Sequence, residues 1–283
     1  MKPILIHCHI FYPQFWPELK RCLQNIKHVP TRLYVTMVEK HKDIIADIGK
    51  SFPDANIQIV DNRGYDIGPF IHVLNQVDLD DYSYVVKLHT KRDVDYTFCG
   101  LTGGKWRETL LKPYQSRERF NAVLSVFEKE PKVGMQADYR VIVFHDIHDK
   151  EAKEGAKRFL QQKKWPLLKY GFVAGTVFIV RANILKSIQQ LHLDMSDFVS
   201  SGQDKSQHRA QAAHMFERLL GYIVYKQGFE IKDAFTPKAQ QNWHRFYYRF
   251  VNPIVRFLFQ KKITKSQKLI VKICKIPVYR RKI

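Results

Sequence analysis

The run Asp61-Asn62-Arg63-Gly64-Tyr65-Asp66-Ile67-Gly68-Pro69-Phe70 gathers an amide, two carboxylates and two glycines between a strand-like and a helix-like stretch. Gly64 and Gly68 allow backbone to come close to a ligand. Asp66 can accept hydrogen bonds from ribose hydroxyls, with Asn62 beside it, and Pro69 suits the first position of a helix. The same residues also suit an ordinary turn in which Asp66 or Gly68 caps the helix.

A second run, Lys87-Leu88-His89-Thr90-Lys91-Arg92, ends another strand-like stretch. An Asp-x-Asp pair at such an edge would hold a divalent ion on a diphosphate. Here His89, Thr90 and Lys91 stand there, and a cationic side chain can itself offset charge on a departing diphosphate. No cofactor is therefore required. Asp93-Val94-Asp95 follows closely and keeps a divalent metal, Mn or Mg, open as an alternative. The plain alternative is a solvated basic loop.

His214-Met215-Phe216-Glu217-Arg218-Leu219-Leu220-Gly221 reads as helix, with His214 and Glu217 three residues apart on one face. Either side chain could act as a general base toward a hydroxyl, and a surface Glu217–Arg218 pattern is the competing reading. Ala174-Gly175-Thr176-Val177-Phe178 carries small residues that would let a substrate approach a strand, or else a core strand that bends at Gly175. Trp106 suits either a sugar-stacking platform or the core.

The elements that must hold these groups follow from hydrophobic spacing. Strands are expected at Pro3–His9, Arg32–Val38, Ile57–Val60 and Tyr84–Leu88, with helices from Phe15 to Ile26, Asp43 to Lys50 and Pro69 to Asn75 between them. Strands alternating with helices imply a mainly parallel sheet flanked by helices, whose ligand edge is the carboxyl end of its strands. Further on, helices are expected at Arg117–Glu130, Asp149–Gln162, Ala182–Leu191 and Ala212–Tyr225. Strands are expected at Val133–Met135, Val141–Phe144, Phe172–Val180 and Phe229–Ile231. The polar stretch Ser200–Gln211, which carries Asp204, reads as a loop.

Composition bounds the rest. The chain has 283 residues, 45% of them hydrophobic, enough for one large domain with an appendage. Cys8, Cys22, Cys99 and Cys274 have no metal or redox spacing, as expected of a reduced cytoplasmic protein. No long apolar run predicts a membrane span. The net charge is +20, and after Asp233 there are thirteen Lys or Arg, all from Lys238 onward, and no acid. Trp243, Phe246, Tyr247, Phe250, Val251, Ile254, Phe257 and Leu258 recur at helical spacing along this tail, and Leu269, Ile270, Ile273 and Ile276 form a second apolar cluster. The expected division is residues 1–237 as the α/β domain and 238–283 as a basic amphipathic helical appendage. Residues 242–283 are expected to lie on an anionic membrane, although packing on the domain would use the same stripe. Without a nucleic-acid motif, such charge does not by itself imply nucleic acid as the partner.

These stretches resemble the rhamnan synthesis protein F family of polysaccharide glycosyltransferases. The likeness rests on Ile6–Tyr12, Leu33–Thr36, Asn62–Phe70, Lys87–Lys91, Trp106-Arg107, Gly175–Phe178 and His214–Arg218, in the family's order over residues 4–232. The resemblance implies a GT-A-like fold and a nucleotide-diphosphate sugar donor, with a lipid-linked glycan acceptor in lipopolysaccharide, O-antigen or capsule assembly. It suggests rhamnose by the family's name alone. It places Asn62, Gly64, Asp66 and Gly68 at the nucleotide, His89, Thr90 and Lys91 at the diphosphate, and Glu217 as base with His214 as the alternative. Arg218 stands where inverting GT-A enzymes carry a second acid. The implied location is cytoplasmic, peripheral on the inner face of a bacterial plasma membrane. A non-catalytic glycan-binding scaffold is the rival reading.

Overall fold

A computed structural model describes residues 2–98, 101–144, 150–198, 212–247, 250, 254, 259–263, 268–273 and 276–282. The chain divides into two compact units, Met1–Phe235 and Thr236–Ile283.

In the first unit, β1 (Ile4–Ile10), β2 (Thr31–Met37), β3 (Asn56–Ile59) and β4 (Tyr84–His89) pair in parallel in the order β4-β1-β2-β3. They are linked by α1 (Trp16–Ile26), α2 (Ile45–Ser51) and α3 (Ile67–Leu74). Every residue of β1 and β4 is buried, so both faces of the central strands are covered. The hairpin of β5 (Val94–Phe98) and β6 (Leu101–Gly103) leads into α4 (Gly104–Leu111) and α5 (Arg117–Lys129). After these, β7 (Val133–Gln136) joins the large sheet, and β8 (Ile142–Val143) pairs with β9 (Phe172–Val173) outside it, with α6 (Lys150–Gln162) between. β10 (Phe178–Arg181) runs antiparallel between β4 and β7. α7 (Lys186–Gln189), α8 (Ala212–Lys226) and β11 (Glu230–Lys232) complete the seven-stranded sheet, ordered β11-β7-β10-β4-β1-β2-β3.

This is the mainly parallel, helix-flanked α/β sheet that strand–helix alternation predicts. Two local expectations change. The single strand expected over Phe172–Val180 is β9 and β10 separated by a turn, because Gly175 and Thr176 both take left-handed backbone angles, φ +84° and +50°. The helix expected over Ala182–Leu191 is a 3-10 turn at Ala182–Leu185 followed by one turn of α7. The polar stretch Ser200–Gln211, with Asp204, lies outside the described residues.

The second unit departs further. α9 spans Lys238–Phe246, and Tyr247, Phe250 and Ile254 are helical as well. Beyond them the chain forms a meander of β12 (Phe259–Ile263), β13 (Lys268–Ile273) and β14 (Ile276–Lys282), not the expected helix. The second apolar cluster is rich in β-branched residues, which favour a pleated strand over a helix turn. Among the described residues no helix is long and apolar enough to cross a membrane.

α8 lies directly against the backbone before β10. A β-carbon at Gly221 would come within 2.3 Å of the Gly171 carbonyl oxygen and 2.6 Å of the Phe172 α-carbon. Gly221→Ala is therefore expected to cost about 2–3 kcal/mol in urea denaturation, as overpacking against rigid backbone does. Gly49→Ala in α2, where nothing lies within 4 Å, should instead gain about 0.5–1 kcal/mol from helix propensity.

Candidate active site

The chain path reverses at β1: β2 and β3 lie to one side of it, β4 to the other. Such a switch point opens a ligand crevice at the carboxyl ends of the strands. Polar residues enter the sheet here. His7 pairs with Lys87 and His9 with His89 across β1 and β4. Directly paired residues share a face, as do residues two apart, so the four form a row. Thr36 on β2 joins it, with its hydroxyl 2.8 Å from His7 Nε2 and 3.0 Å from His9 Nδ1. Phe70 of α3 lies over the row, its ring centroid 5.6 Å from that of His7 and 5.5 Å from Lys87 Nζ.

The Asn62–Phe70 segment delivers Asp66 onto this row. Gly64 and Tyr65 take consecutive left-handed angles, φ +66° and +54°, which turn the chain into α3. Ile67 and Gly68 then donate their amides to the Gly64 carbonyl at 3.0 and 3.2 Å. The space at the two glycines is occupied by protein. A β-carbon at Gly64 would lie 2.7 Å from the Phe198 ring, and one at Gly68 only 2.2 Å from the Arg63 carbonyl oxygen. Asn62 is half-buried just before this turn.

Asp66 does not cap α3 with its side chain. Its Oδ2 instead accepts from Lys87 Nζ and from the Thr176 hydroxyl. Lys87 Nζ also donates to the Thr176 carbonyl and hydroxyl oxygens, both at 3.2 Å. His89 Nε2 is 3.7 Å from Asp66 Oδ2 and donates to the Gly175 carbonyl at 2.8 Å. Glu217 on α8 accepts the Gly175 amide at Oε1, 2.6 Å away, while its Oε2 is 3.5 Å from Arg218 Nη1. Four side chains from three elements thus clasp one turn, Gly175-Thr176. Thr176 is β-branched and left-handed, a costly backbone state that persists only where its surroundings fix it.

The other expected site residues are placed as follows. Thr90 accepts the amides of Phe11 and Tyr12 at 2.9 and 2.8 Å, binding the end of β1 to the end of β4. Lys91 is half-buried at the same edge. His214 stacks on Tyr65 with centroids 5.7 Å apart and planes 9° from parallel. Arg218 donates to the His214 carbonyl at 2.6 Å and lies over the Phe172 ring. Trp106 is buried where it would touch any side chain added at Gly175, which makes it part of the core. Asp93 is ion-paired to Arg107, which also binds Glu18 and stacks on Phe15. The side chain of Asp95 lies outside the described residues. Lys87, Thr176 and the buried pair His7 and His9 are the residues sequence reasoning undervalued. The period-2 recurrence of polar residues in otherwise apolar strands was the available signal.

Burial pushes the Asp66 carboxyl up, but the pull of His89, Lys87 and Lys91 prevails and holds it well below the usual carboxylate range. Burial lowers the imidazoles: His89 to about 4 against the attraction of Asp66, His9 to about 3, and His7 well below its ordinary value. At neutral pH the row therefore holds neutral rings beside one buried ion pair.

A family model for rhamnan synthesis protein F matches residues 1–229. The chain belongs to the rhamnan synthesis protein F family. Two relatives named "Uncharacterized protein WxcX", from Xanthomonas campestris pv. campestris strains B100 and ATCC 33913, are 27% and 26% identical over 229 residues. The match covers 79% of this chain and 32% of each relative, so the chain spans about a third of the length of these relatives. Among solved structures, 4-diphosphocytidyl-2C-methyl-D-erythritol synthase from Anaerococcus prevotii covers 88% of this family member at 14% identity, and 99% of its own chain, with a TM-score of 0.38. The clasp described above lies wholly within the region matched by the family.

The imidazole row makes the fold acid-sensitive. Unfolded histidines take up protons near pH 6.5, whereas folded His89 and His9 resist until about 4 and about 3. Their contribution is complete above pH 6.5 and is lost as pH falls from there toward 4, at about 1.4 kcal/mol per pH unit for each ring. Asp66, depressed in the folded state, adds its own loss below about pH 4. Denaturant unfolding followed from pH 7 to 4 should show this slope, and His9→Asn should flatten it by about one ring's share.

Proposed function

We propose that this chain is a glycosyltransferase that moves a sugar from a nucleotide-diphosphate donor to a growing cell-surface polysaccharide. Membership in the rhamnan synthesis protein F family supports the polysaccharide theme. The observation that carries the reading is the convergence of Asp66, His89 and Glu217 on one strained turn at the carboxyl edge of a parallel sheet. Lys91 is two residues beyond His89 on that edge.

In the proposed reaction an acceptor hydroxyl oxygen attacks the anomeric carbon. The bond from that carbon to the diphosphate breaks, and the nucleoside diphosphate leaves with the electron pair. Glu217 is the base that takes the hydroxyl proton, through Oε2, because Oε1 is anchored by the Gly175 amide. His214, stacked on Tyr65, is the alternative base. Lys91 meets the departing diphosphate. His89 and Thr90, which bond backbone groups through Nε2 and Oγ1, hold that edge in place. Asn62 and the Gly64–Gly68 turn border the nucleotide, and Asp66 would meet the ribose through Oδ1, since Oδ2 is taken. No metal is needed in this scheme. The donor sugar is rhamnose or another hexose. The acceptor is a lipid-linked glycan reached at the cytoplasmic face of the plasma membrane, where the protein is peripheral.

Glu217→Gln tests the base directly, because the amide oxygen can still accept from Gly175 while basicity is removed. Transfer measured over a panel of nucleotide-diphosphate sugars should fall roughly 10²-fold or more, with unchanged nucleotide affinity and melting temperature. Full retained activity would remove Glu217 from this role, and a wild type silent over the whole panel would favour the scaffold reading. Turnover should also persist in excess chelator and collapse in Lys91→Ala. Loss in EDTA with recovery in manganese would replace the lysine by a metal.

A further inference from the structure

We infer that the second unit is a two-part docking surface for an anionic lipid bilayer, with aromatic insertion from its helix and charge from its meander. This deepens the peripheral location proposed above by naming the partner and the residues that meet it.

The helical part supplies the apolar contact. Trp243, Phe246, Phe250 and Ile254 are 65%, 48%, 52% and 61% exposed. The three aromatic rings form a continuous series, Trp243 to Phe246 at 5.8 Å and Phe246 to Phe250 at 5.2 Å between centroids. Most large exposed apolar residues elsewhere stand singly or in pairs, and a contiguous aromatic patch on a helix is a recognition surface. Trp in particular favours the headgroup boundary of a bilayer.

The meander supplies charge in an ordered way. Its register sets Lys262, Ile270 and Arg280 in one rung, Gln260, Lys272 and Pro277 in another, and Lys268 opposite Lys282 in a third. The alternate rungs are Phe259 with Ile273 and Ile276, Lys261 with Val271 and Tyr279, and Ile263 with Leu269 and Arg281. Five of the eight residues in the first set of rungs are basic and one is a large aliphatic, while the second set is mainly apolar, with a register shift between Val271 and Lys272. No acid follows Asp233 to neutralise the basic residues.

Exposed aromatics joined to an acid-free cationic sheet fit a surface that offers both hydrocarbon and phosphate, which is an anionic bilayer. Duplex nucleic acid, whose bases are already stacked within the helix, would engage the basic rungs and leave the aromatic helix series without a role.

Full-length protein, without any sugar donor, is to be sedimented with vesicles of phosphatidylglycerol and phosphatidylcholine, and with phosphatidylcholine alone. Binding is expected on the anionic vesicles only and to weaken with salt. Each basic side chain near an anionic surface contributes about fivefold. The triple variant Lys262→Gln, Lys272→Gln, Arg280→Gln should thus bind about a hundredfold more weakly. A readout that tolerates misfolding of that variant is quenching of wild-type tryptophan fluorescence by brominated lipid, which Trp243→Phe should largely abolish. Equal binding to neutral vesicles, absent quenching, or tighter salt-matched binding to duplex DNA than to vesicles would overturn the inference. Because no donor is present, these outcomes are independent of whether the chain transfers sugar.

Discussion

The buried ion pair between Asp66 and Lys87 is the constraint on which the candidate site depends. A lysine ammonium fully enclosed in a sheet is costly unless a partner charge and further acceptors surround it. Asp66 supplies the charge, and Thr176 supplies the acceptors through its carbonyl and hydroxyl oxygens. That requirement fixes three distant pieces of chain at once: the start of α3, the middle of β4 and the turn before β10. The left-handed Thr176 is held because its hydroxyl and carbonyl are both needed there. Once the turn is fixed, the Gly175 amide and carbonyl point at Glu217 and His89 respectively, and α8 is tied to the sheet edge.

This geometry gives the two acids different surroundings. Asp66 is committed to the protein through Oδ2 and is strongly biased toward its charged form. Glu217 has one oxygen oriented by a backbone amide and the other beside Arg218, with its side chain 20% exposed. The neutral imidazoles beneath them add hydrogen-bonding capacity at neutral pH without adding charge.

The sheet was legible because its signal is local. β1 to β4 are apolar runs bounded by turn residues, and the helices between them keep helical spacing. The sequence also singled out four segments that the fold brings together, since Asn62–Phe70, Lys87–Lys91, Gly175–Thr176 and His214–Arg218 meet at one edge. It could not show that Asp66 faces Lys87, because that pairing joins residues 21 apart in sequence through a left-handed turn at Gly64 and Tyr65. It marked a bend at Gly175 but not the full break between β9 and β10, where a strand-like composition is overruled by contacts from the start of α3, from β4 and from α8. In the appendage, a helical stripe extended the expectation of helix into residues whose β-branched pattern is that of a meander.

The most direct test is a double-mutant cycle on the ion pair, read by urea denaturation of the full chain at pH 7. Lys87→Met leaves the largely enclosed Asp66 carboxylate, its side chain 16% exposed, without its cation, and Asp66→Asn leaves the fully buried ammonium without its anion. Each should cost about 3–5 kcal/mol, and the double variant should cost well below their sum, because the uncompensated charge is gone. Two small, additive effects would mean that the pair does not organise the site, and the account built on it would fail.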